Sequence, residues 1–347
     1  MTPSAVSESE RGRFRVSFQT VQTASVFILL VALCAVSSFQ TDTFFTWRNL
    51  VYNLLANAAY LGVIACGMTF VMIAGGFDLS VASITAVCSV VTVLVLQWLA
   101  PYGPWTAIPA AVLATLLAGL ILGAINGVLI SYIGVNPFVV TLSTMLVFRG
   151  VALVITRGGQ TIEVPSALRD PVRFFYWGKL NLFGNEAYRI PIPILVFLGV
   201  FILFYVALRY TRYGHYVYAV GGNEAASWLA GVNTAAVKAL AYMLCGLTCA
   251  IAAVIYTGMS NTAQAASYQG LEMVVIASVI VGGTPLGGGQ GGLFYTLNGL
   301  LLLAVIENLL TQFGIKEEYR SIVRGIIILV VVVVDVSVRK RGAKGKG

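Results

Sequence analysis

The sequence predicts an all-α, polytopic integral membrane protein, and three observations support this. Of its 347 residues, 59% are hydrophobic and only 10% are charged, whereas a soluble domain has about 25% charged residues. The mean hydropathy is +0.90. Apolar stretches recur that approach the roughly 20 residues a membrane helix needs. We expect about ten transmembrane helices, near residues 21–39, 50–73, 79–99, 106–132, 138–156, 190–208, 237–257, 271–284, 291–313 and 321–338.

Basic residues gather at both ends of the chain, whose net charge is +8. Because they flank hydrophobic segments, we interpret them as cytoplasmic anchors beside membrane lipid, and we expect no nucleic-acid partner. The chain then divides into a basic N-terminal tail at 1–20, a single transmembrane domain at 21–338 and a basic C-terminal tail at 339–347. An even number of crossings places loop 157–189 outside and loop 209–236 in the cytoplasm. The clusters are Arg11, Arg13 and Arg15, and Arg339, Lys340, Arg341, Lys344 and Lys346.

The residues that enzymes and metal sites require do not cluster in this sequence. Its five cysteines all fall in apolar runs, which is typical of small core residues. His215 is the only histidine, and no G-x-x-x-x-G-K-[ST] phosphate loop is present. We therefore expect no catalytic, cofactor or metal site on this chain. Any ATP and Mg²⁺ that its activity requires would bind a separate ATPase subunit.

A lone acid, Asp78, follows two glycines in the run Gly75–Ser80. The flanking stretches 61–73 and 81–96 contain no charged residue. An Asp in the middle of a membrane helix costs about 3 kcal/mol, and adjacent glycines loosen a helix. The run is either a gate or binding site that includes Asp78 and Ser80, or a tight turn in which Asp78 caps the next helix.

A second break, Gly282–Gly292, contains seven glycines and a proline, so it cannot be helical. The helix before it, from Leu271, is unusually short. On the topology above, both breaks lie toward the cytoplasmic side. Gly282, Gly283 and Thr284 belong either to a moving gate, where glycine lets backbones approach closely, or to a flexible loop.

The cytoplasmic loop 209–236 contains a predicted short helix. Asn223 is a good N-cap, Glu224 complements the dipole of the first turn, and Gly231 ends the helix. Such a helix either docks into a groove on another protein or lies on the membrane surface. The residues of this candidate coupling loop are Gly221, Gly222, Asn223, Glu224, Ala225, Ala226 and Gly231.

Two polar stripes are further candidates for a translocation path. Asn49, Asn53 and Asn57 recur every fourth residue and so share one helix face. They either line a hydrophilic path for a hydroxyl-rich solute or bond neighbouring helices. Asn136 and Pro137 predict the start of the fifth helix. On that helix a shared face carries Thr141, Thr144 and Phe148.

Four other charges lie at or near membrane depth: Arg149, Glu272, Glu307 and Arg324. Buried charges are tolerated only with partners, so we expect these four to be buried structural charges. Glu307 and Arg324 flank a short turn predicted on the outer side, across which they would pair.

Four segments together form a recognisable pattern. They are Gly67–Val81, which contains G-G-F-D-L-S-V, then Asn136–Gly150, Tyr218–Ala226 and Val281–Thr284. In order and spacing they resemble the permease subunits of bacterial ribose-type ABC importers, over roughly residues 45–336. A single glycine motif would be weak evidence, whereas four in register are specific.

The resemblance implies a multi-pass importer subunit in the bacterial inner membrane. It implies a cytoplasmic ATP-binding subunit in contact with loop Gly221–Ala230, a periplasmic sugar-binding protein, and a second permease, either another copy or a homologue. Two positions depart from the family. Ala82 stands where the family usually has Gly, and Val274 stands where it usually has Asp, so no role of that Asp can be carried over.

We interpret the chain as a permease that passes a neutral monosaccharide through a homodimer interface, with ATP binding on partner chains switching access. A binding protein would set specificity, so only weak contacts are expected in the pore. The alternative is a self-contained secondary transporter for a small polar solute, driven by protons or sodium through Asp78 or Glu272.

Overall fold

The computed structural model describes residues 18–181, 188–316, 318–327, 329 and 333, and these residues are mostly helical. The helices are α1 Phe18–Gln40, α2 Ala56–Ile73, α3 Val81–Leu99, α4 Pro104–Ser131, α5 Pro137–Ile155, α6 Ser166–Trp177, α7 Ile192–Tyr210, α8 Arg212–Gly222, α9 Glu224–Leu229, α10 Thr234–Ser260, α11 Leu271–Gly282 and α12 Leu293–Gln312. A π-helical segment, Arg48–Leu55, leads directly into α2, and a 3₁₀ turn, Ala100–Tyr102, follows α3. Residues 318–327 are also helical.

Seven helices in the described part of the chain are long and apolar enough to cross a membrane. Two shorter apolar helices, Ala24–Phe39 and Leu271–Gly282, match two more of the predicted spans. The last predicted span, 321–338, lies partly outside the described residues, as do most of the N-terminal tail and the whole C-terminal tail. The count of about ten spans and the cytoplasmic ends therefore stay predictions. α1 begins at Phe18, inside the segment predicted as the N-terminal tail.

Helix α10 is central and packs against α2, α3 and α4. Glycines on α4 permit the closest of these contacts. A Cβ on Gly119 or Gly123 would overlap the backbone of α10, and one on Gly127 would lie 2.8 Å from the carbonyl oxygen of Ala239. Small residues at every fourth position let membrane helices approach closely, so the sequence of α4 itself sets this packing.

The other long helices surround this core. α7 packs on α2, α5 packs on α3, and α11 and α12 pack together against α2, with α1 on α12. Apolar side chains on the outer faces of α4, α5 and α7 stay exposed, such as Leu117, Leu146 and Leu203. In a membrane such faces meet lipid or another chain.

The predicted outer loop, 157–189, contains a helix that we did not predict from the sequence. α6 buries Leu168, Val172 and Tyr176, which are spaced four residues apart on one face. That spacing is the amphipathic signal that could have revealed it. Two short antiparallel strand pairs flank it: β1 Ile162–Glu163 with β4 Thr262–Ala263, and β2 Lys179–Leu180 with β3 Ile190–Pro191.

Candidate functional site

Three segments far apart in the sequence contact one another at one end of the bundle through backbone atoms. They are the α2–α3 turn, the end of α8 and the α11–α12 loop. The N–H of Gly289 donates to the carbonyl oxygen of Ile73 at 2.8 Å. A Cβ on Gly221 would overlap that same oxygen, and one on Gly288 would lie 2.8 Å from the Cα of Gly75. We call this contact the glycine junction, formed by Gly75, Gly221, Gly222, Gly288 and Gly289.

Glycine is needed at the junction for two separate reasons. Gly75, Gly288 and Gly289 have φ angles of +87°, +72° and +70°, a region that other residues rarely adopt. At Gly221 the reason is space, because an added Cβ would also lie 2.6 Å from the nitrogen of Gly289. A Cβ on Gly222 would meet no atom within 4 Å. Gly221 and Gly222 are adjacent, but only Gly222 has space for a side chain.

Two side chains fasten the α11–α12 loop. The Tyr218 hydroxyl donates to the carbonyl oxygen of Gly291 at 2.8 Å. Burial raises the pKa of the Tyr218 hydroxyl, so it keeps the proton that it donates. The Oγ1 of Thr284 accepts a hydrogen bond from the N–H of Gly292 at 3.3 Å. One hydrogen bond therefore joins the loop to α8, and the other links two residues within the loop.

The predicted gate residues of this loop are tightly packed. Gly282 lies so close to α12 that a Cβ would overlap the carbonyl oxygen of Tyr295. Gly283 has a φ of +119°, and Thr284 is fully buried. The segment Gly282–Gly292 is non-helical after Gly282, as predicted, and it is a packed structure and not an open loop.

The predicted helix in loop 209–236 is present as α9. Asn223 is its N-cap, and its Oδ1 accepts a hydrogen bond from the N–H of Ala226 at 2.9 Å. Glu224 lies in the first turn, and Gly231, just beyond the end, has a φ of +83°. The predicted N-cap, the acidic residue in the first turn and the glycine that ends this helix are all confirmed.

α9 presents two large apolar side chains that the chain leaves uncovered. Trp228 and Leu229 are 68% and 78% exposed. Glu224 pairs with Lys238 near the start of α10, a partly exposed contact between α9 and the bundle. Because only Asn223 separates α9 from Gly222, this surface is directly linked to the glycine junction.

Asp78 is fully buried beside the junction, and its hydrogen-bond partners are neutral. Its Oδ1 accepts from the backbone N–H of Ser80 at 2.8 Å and from the Ser80 hydroxyl at 2.6 Å. The Nδ2 of Asn126, on α4, lies 3.3 Å from Oδ2 and 2.8 Å from the Ser80 Oγ. Among the ion pairs of the described residues, none involves Asp78.

The prediction that Asp78 caps α3 is wrong. Ser80 is the N-cap residue of that helix, and Asp78 bonds the N–H of Ser80 itself, two residues on. This is an Asx turn, which fixes the chain before the helix begins. Neither Asp78 nor Ser80 lines the two cavities described below.

The asparagine stripe bonds a neighbouring helix at one end and borders a cavity further along, and its place on a translocation path stays a prediction. Asn49 exchanges hydrogen bonds with Asn308 on α12, with Nδ2–Oδ1 distances of 3.1 and 3.0 Å, so it joins two helices. Asn53 and Asn57 line a cavity of about 720 Å³ bordered by α2, α11 and α12. We call this the amide cavity.

The threonine hydroxyls of α5 donate hydrogen bonds to carbonyl oxygens of the same helix. The Thr141 hydroxyl donates to the carbonyl oxygen of Pro137 at 2.8 Å, and that of Thr144 donates to Val140 at 2.9 Å. Phe148 is buried in the main core. None of the three lines either cavity, so their place on a translocation path stays a prediction.

The four charges predicted to be buried are only partly buried, and two of them, Glu307 and Arg324, line the amide cavity. The predicted pair across the α12 turn is present, and Glu307 accepts from Arg324 at 3.2 Å. Arg320, which we did not predict, also contacts Glu307, at 3.1 Å. Arg149 donates to a backbone carbonyl and interacts electrostatically with Glu272.

Two residues of these networks were missed at the level of sequence. Asn126 completes the contacts of Asp78, and Asn308 pairs with Asn49. Asn126 is the single amide of α4, an otherwise apolar helix, and that is the signal that could have identified it, since such residues seek partners inside a membrane protein. Asn308 shares α12 with Asn298, Glu307 and Gln312, so it does not stand out in the same way.

The chain is similar to known permeases over most of its length. Residues 50–332 match the family described as "Branched-chain amino acid transport system / permease component". The ribose import permease protein RbsC of Escherichia coli (strain K12) is 35% identical over 312 residues, which cover 89% of this chain and 92% of the relative. RbsC of Bacillus subtilis (strain 168) is 35% identical over 331 residues, covering 95% and 97%. The L-arabinose transport system permease protein AraH of Escherichia coli (strain K12) is 34% identical over 310 residues, covering 89% and 88%. No solved structure gives a significant match.

Proposed function

Because the chain belongs to this family of transport-system permeases, we propose that it is the membrane subunit of an ABC importer that carries a monosaccharide across the bacterial inner membrane. The relatives named for ribose and L-arabinose match nearly the whole chain. Those matches support a sugar over the amino acids of the family's description. The seven candidate spans of the described residues agree with a multi-pass protein.

In the proposed complex, other chains hold the ATP and the free sugar. A cytoplasmic ATP-binding subunit binds ATP and Mg²⁺, and a periplasmic sugar-binding protein delivers the substrate. A second copy of this chain, or a homologous permease, completes the membrane part. The proposal is supported by the sequence, which contains no phosphate-binding loop of its own.

The glycine junction is the observation that carries the mechanism. The proposed ATPase contact is α9, through Trp228 and Leu229. A shift of α9 moves the end of α8, because only Asn223 lies between them. At that end Gly221 contacts both the α2–α3 turn and the α11–α12 loop. ATP binding on the partner then favours one of two arrangements of the α2–α3 turn and the α11–α12 loop, and so sets which side of the membrane has access.

The alternative, an ion-coupled transporter, has less support from the geometry. It requires Asp78 or Glu272 to meet an ion on the path. Neither acid lines the amide cavity, and Asp78 contacts neutral donors in a fixed turn. This geometry favours a structural role for Asp78.

A docking variant tests the proposed ATPase contact. Replacing both Trp228 and Leu229 by Asp removes two exposed apolar anchors and adds charge. We expect ATPase binding to weaken by roughly tenfold or more, since truncated interface anchors typically cost 2 kcal/mol or above. The measurement is ATPase activity of the reconstituted complex against subunit concentration.

The matched control for the docking variant is Lys238→Gln. It breaks only the partly exposed pair with Glu224, and such pairs contribute little. Normal ATPase binding by the double variant, in a chain that elutes as a single species, would contradict docking at α9.

A further inference from the structure

The amide cavity has the size and chemistry of a small-ligand site. Its volume of about 720 Å³ lies in the range typical of ligand pockets. Six carboxamides line its wall, beside apolar side chains and the charged Glu307, Arg320 and Arg324. An amide both donates and accepts hydrogen bonds without carrying charge. This suits a solute that presents many neutral hydroxyl groups. The lining amides are Asn49, Asn53, Asn57, Gln269, Asn308 and Gln312.

Two of these amides keep an acceptor free. The Nδ2 of Asn53 donates to Asn49 at 3.4 Å, and the Nδ2 of Asn57 donates to the carbonyl oxygen of Asn53 at 2.9 Å. Among the described residues, neither Oδ1 accepts a hydrogen bond. Asn49 and Asn308, in contrast, satisfy each other. The two asparagines that the stripe presents to the cavity therefore each keep a free acceptor.

The backbone that carries this stripe is unusual. Asn49 and Asn53 lie in the π-helical segment Arg48–Leu55. π-Helical turns are rare and are often found at functional sites. Here the segment ends where α2 begins, so Asn57 stands in the first turn of the regular helix. The irregular turn therefore lies at the wall of the cavity.

A second cavity adjoins the first at Asn53. It has a volume of about 790 Å³ and is lined by Thr46, Trp47, Arg48, Tyr52, Asn53, Trp177, Lys179 and Tyr188. The Nζ of Lys179 lies 4.3 Å from the centre of the Tyr52 ring, and Trp47 and Tyr188 meet edge to face. We call it the aromatic pocket. Flat ring faces beside polar groups suit a sugar, whose own surface has apolar and hydroxyl faces.

We propose that the amide cavity is the sugar-holding site and that the aromatic pocket is its entrance. The Oδ1 atoms of Asn53 and Asn57 accept hydrogen bonds from sugar hydroxyls, and Asn53 is the shared wall that the sugar passes. These contacts come from residues of this chain. This inference rests on the proposed function, because it takes the substrate to be a monosaccharide.

Thiol protection tests whether a sugar enters the cavity. The full chain, with Cys34→Ala to remove the one cysteine that is not buried, carries Ala304→Cys in the wall of the amide cavity and is labelled with a small cationic methanethiosulfonate. We expect D-ribose to slow this labelling severalfold, and not to slow labelling of Ser166→Cys, an exposed position on α6. Labelling of Ala304→Cys at the same rate with and without D-ribose, or equal slowing at both positions, would overturn the proposal.

Uptake by the complete complex in liposomes separates this inference from the proposed function. Asn57→Leu and the plugging variant Ala304→Trp should lower D-ribose uptake by roughly tenfold or more, the cost of one or two unmade hydrogen bonds or of a filled site. Stimulation of ATP hydrolysis by the loaded binding protein should persist. Leu117→Trp, on an exposed face of α4, is the matched control and should transport normally.

The outcomes of the uptake experiment differ in what they contradict. Normal uptake by both cavity variants overturns the assignment of the amide cavity as the sugar site while leaving the importer intact. Unstimulated ATP hydrolysis in the unaltered complex contradicts the proposed function instead. Loss of D-ribose uptake in Leu117→Trp as well would mean that any added indole ring disturbs the bundle. It would overturn the inference drawn from Ala304→Trp.

Discussion

Gly221→Ala is expected to reduce ATP-driven sugar uptake by roughly tenfold or more, because the added methyl group forces the junction apart at a cost of about 1–3 kcal/mol. The Cβ would overlap the carbonyl oxygen of Ile73 and lie 2.6 Å from the nitrogen of Gly289. Both neighbours are backbone atoms, which cannot rotate away as a flexible side chain would. The α2–α3 turn and the α11–α12 loop must therefore move together.

The adjacent residue supplies the control for this prediction. Gly222→Ala places its Cβ in open space, and alanine replaces glycine at a helix end without a positive φ. Uptake and ATPase stimulation by this variant should stay close to those of the unaltered chain. Equal effects of the two substitutions, in chains of equal thermal stability, would show that the close contact at Gly221 is not what couples α9 to the breaks.

Asp78→Ala is expected to destabilise the chain by about 3 kcal/mol or more. The substitution leaves the N–H and hydroxyl of Ser80 without their acceptor in a buried site, and the Nδ2 of Asn126 keeps only the Ser80 Oγ as a partner. Each unmet buried donor costs about 1–3 kcal/mol. The measurement is the thermal unfolding midpoint in detergent, together with uptake in liposomes.

Asp78→Asn separates a structural role from an ion-carrying one. Asparagine keeps the Oδ1 that accepts from Ser80 and removes the ionisable group. If the Asx turn is what matters, this variant should unfold near the midpoint of the unaltered chain and transport at a similar rate. Loss of transport in a chain of normal stability would show that the carboxylate itself takes part, as the ion-coupled alternative requires.

The features that sequence predicted correctly depend on local rules. Asn223 caps α9 and Gly231 follows its end because cap chemistry involves residues only a few positions apart. Gly282–Gly292 breaks the helix because its own composition forbids one. The pair of Glu307 and Arg324 spans a single hairpin. In each case the partners are close in the sequence, so a pattern could reveal them.

The features that sequence did not predict depend on contacts between distant segments. The glycine junction brings Gly75, Gly221 and Gly288 together, and nothing local to any one of them identifies the other two. For Asp78 the sequence leaves a gate or binding site and a helix cap as alternatives, and its partner Asn126 lies two helices further along the chain, where no local pattern points to it. Small residues and isolated amides in a helix indicate that a position contacts another segment of the chain, but they do not identify that segment.

ATP-dependent uptake in liposomes tests the central claim most directly. The purified chain is reconstituted with its ATP-binding subunit and loaded binding protein, and uptake of D-ribose and L-arabinose is followed with no ion gradient. We predict uptake of at least one sugar only when all partners and ATP are present, and none by this chain alone. Sugar uptake by this chain alone, driven by a proton or sodium gradient without ATP, would contradict the account.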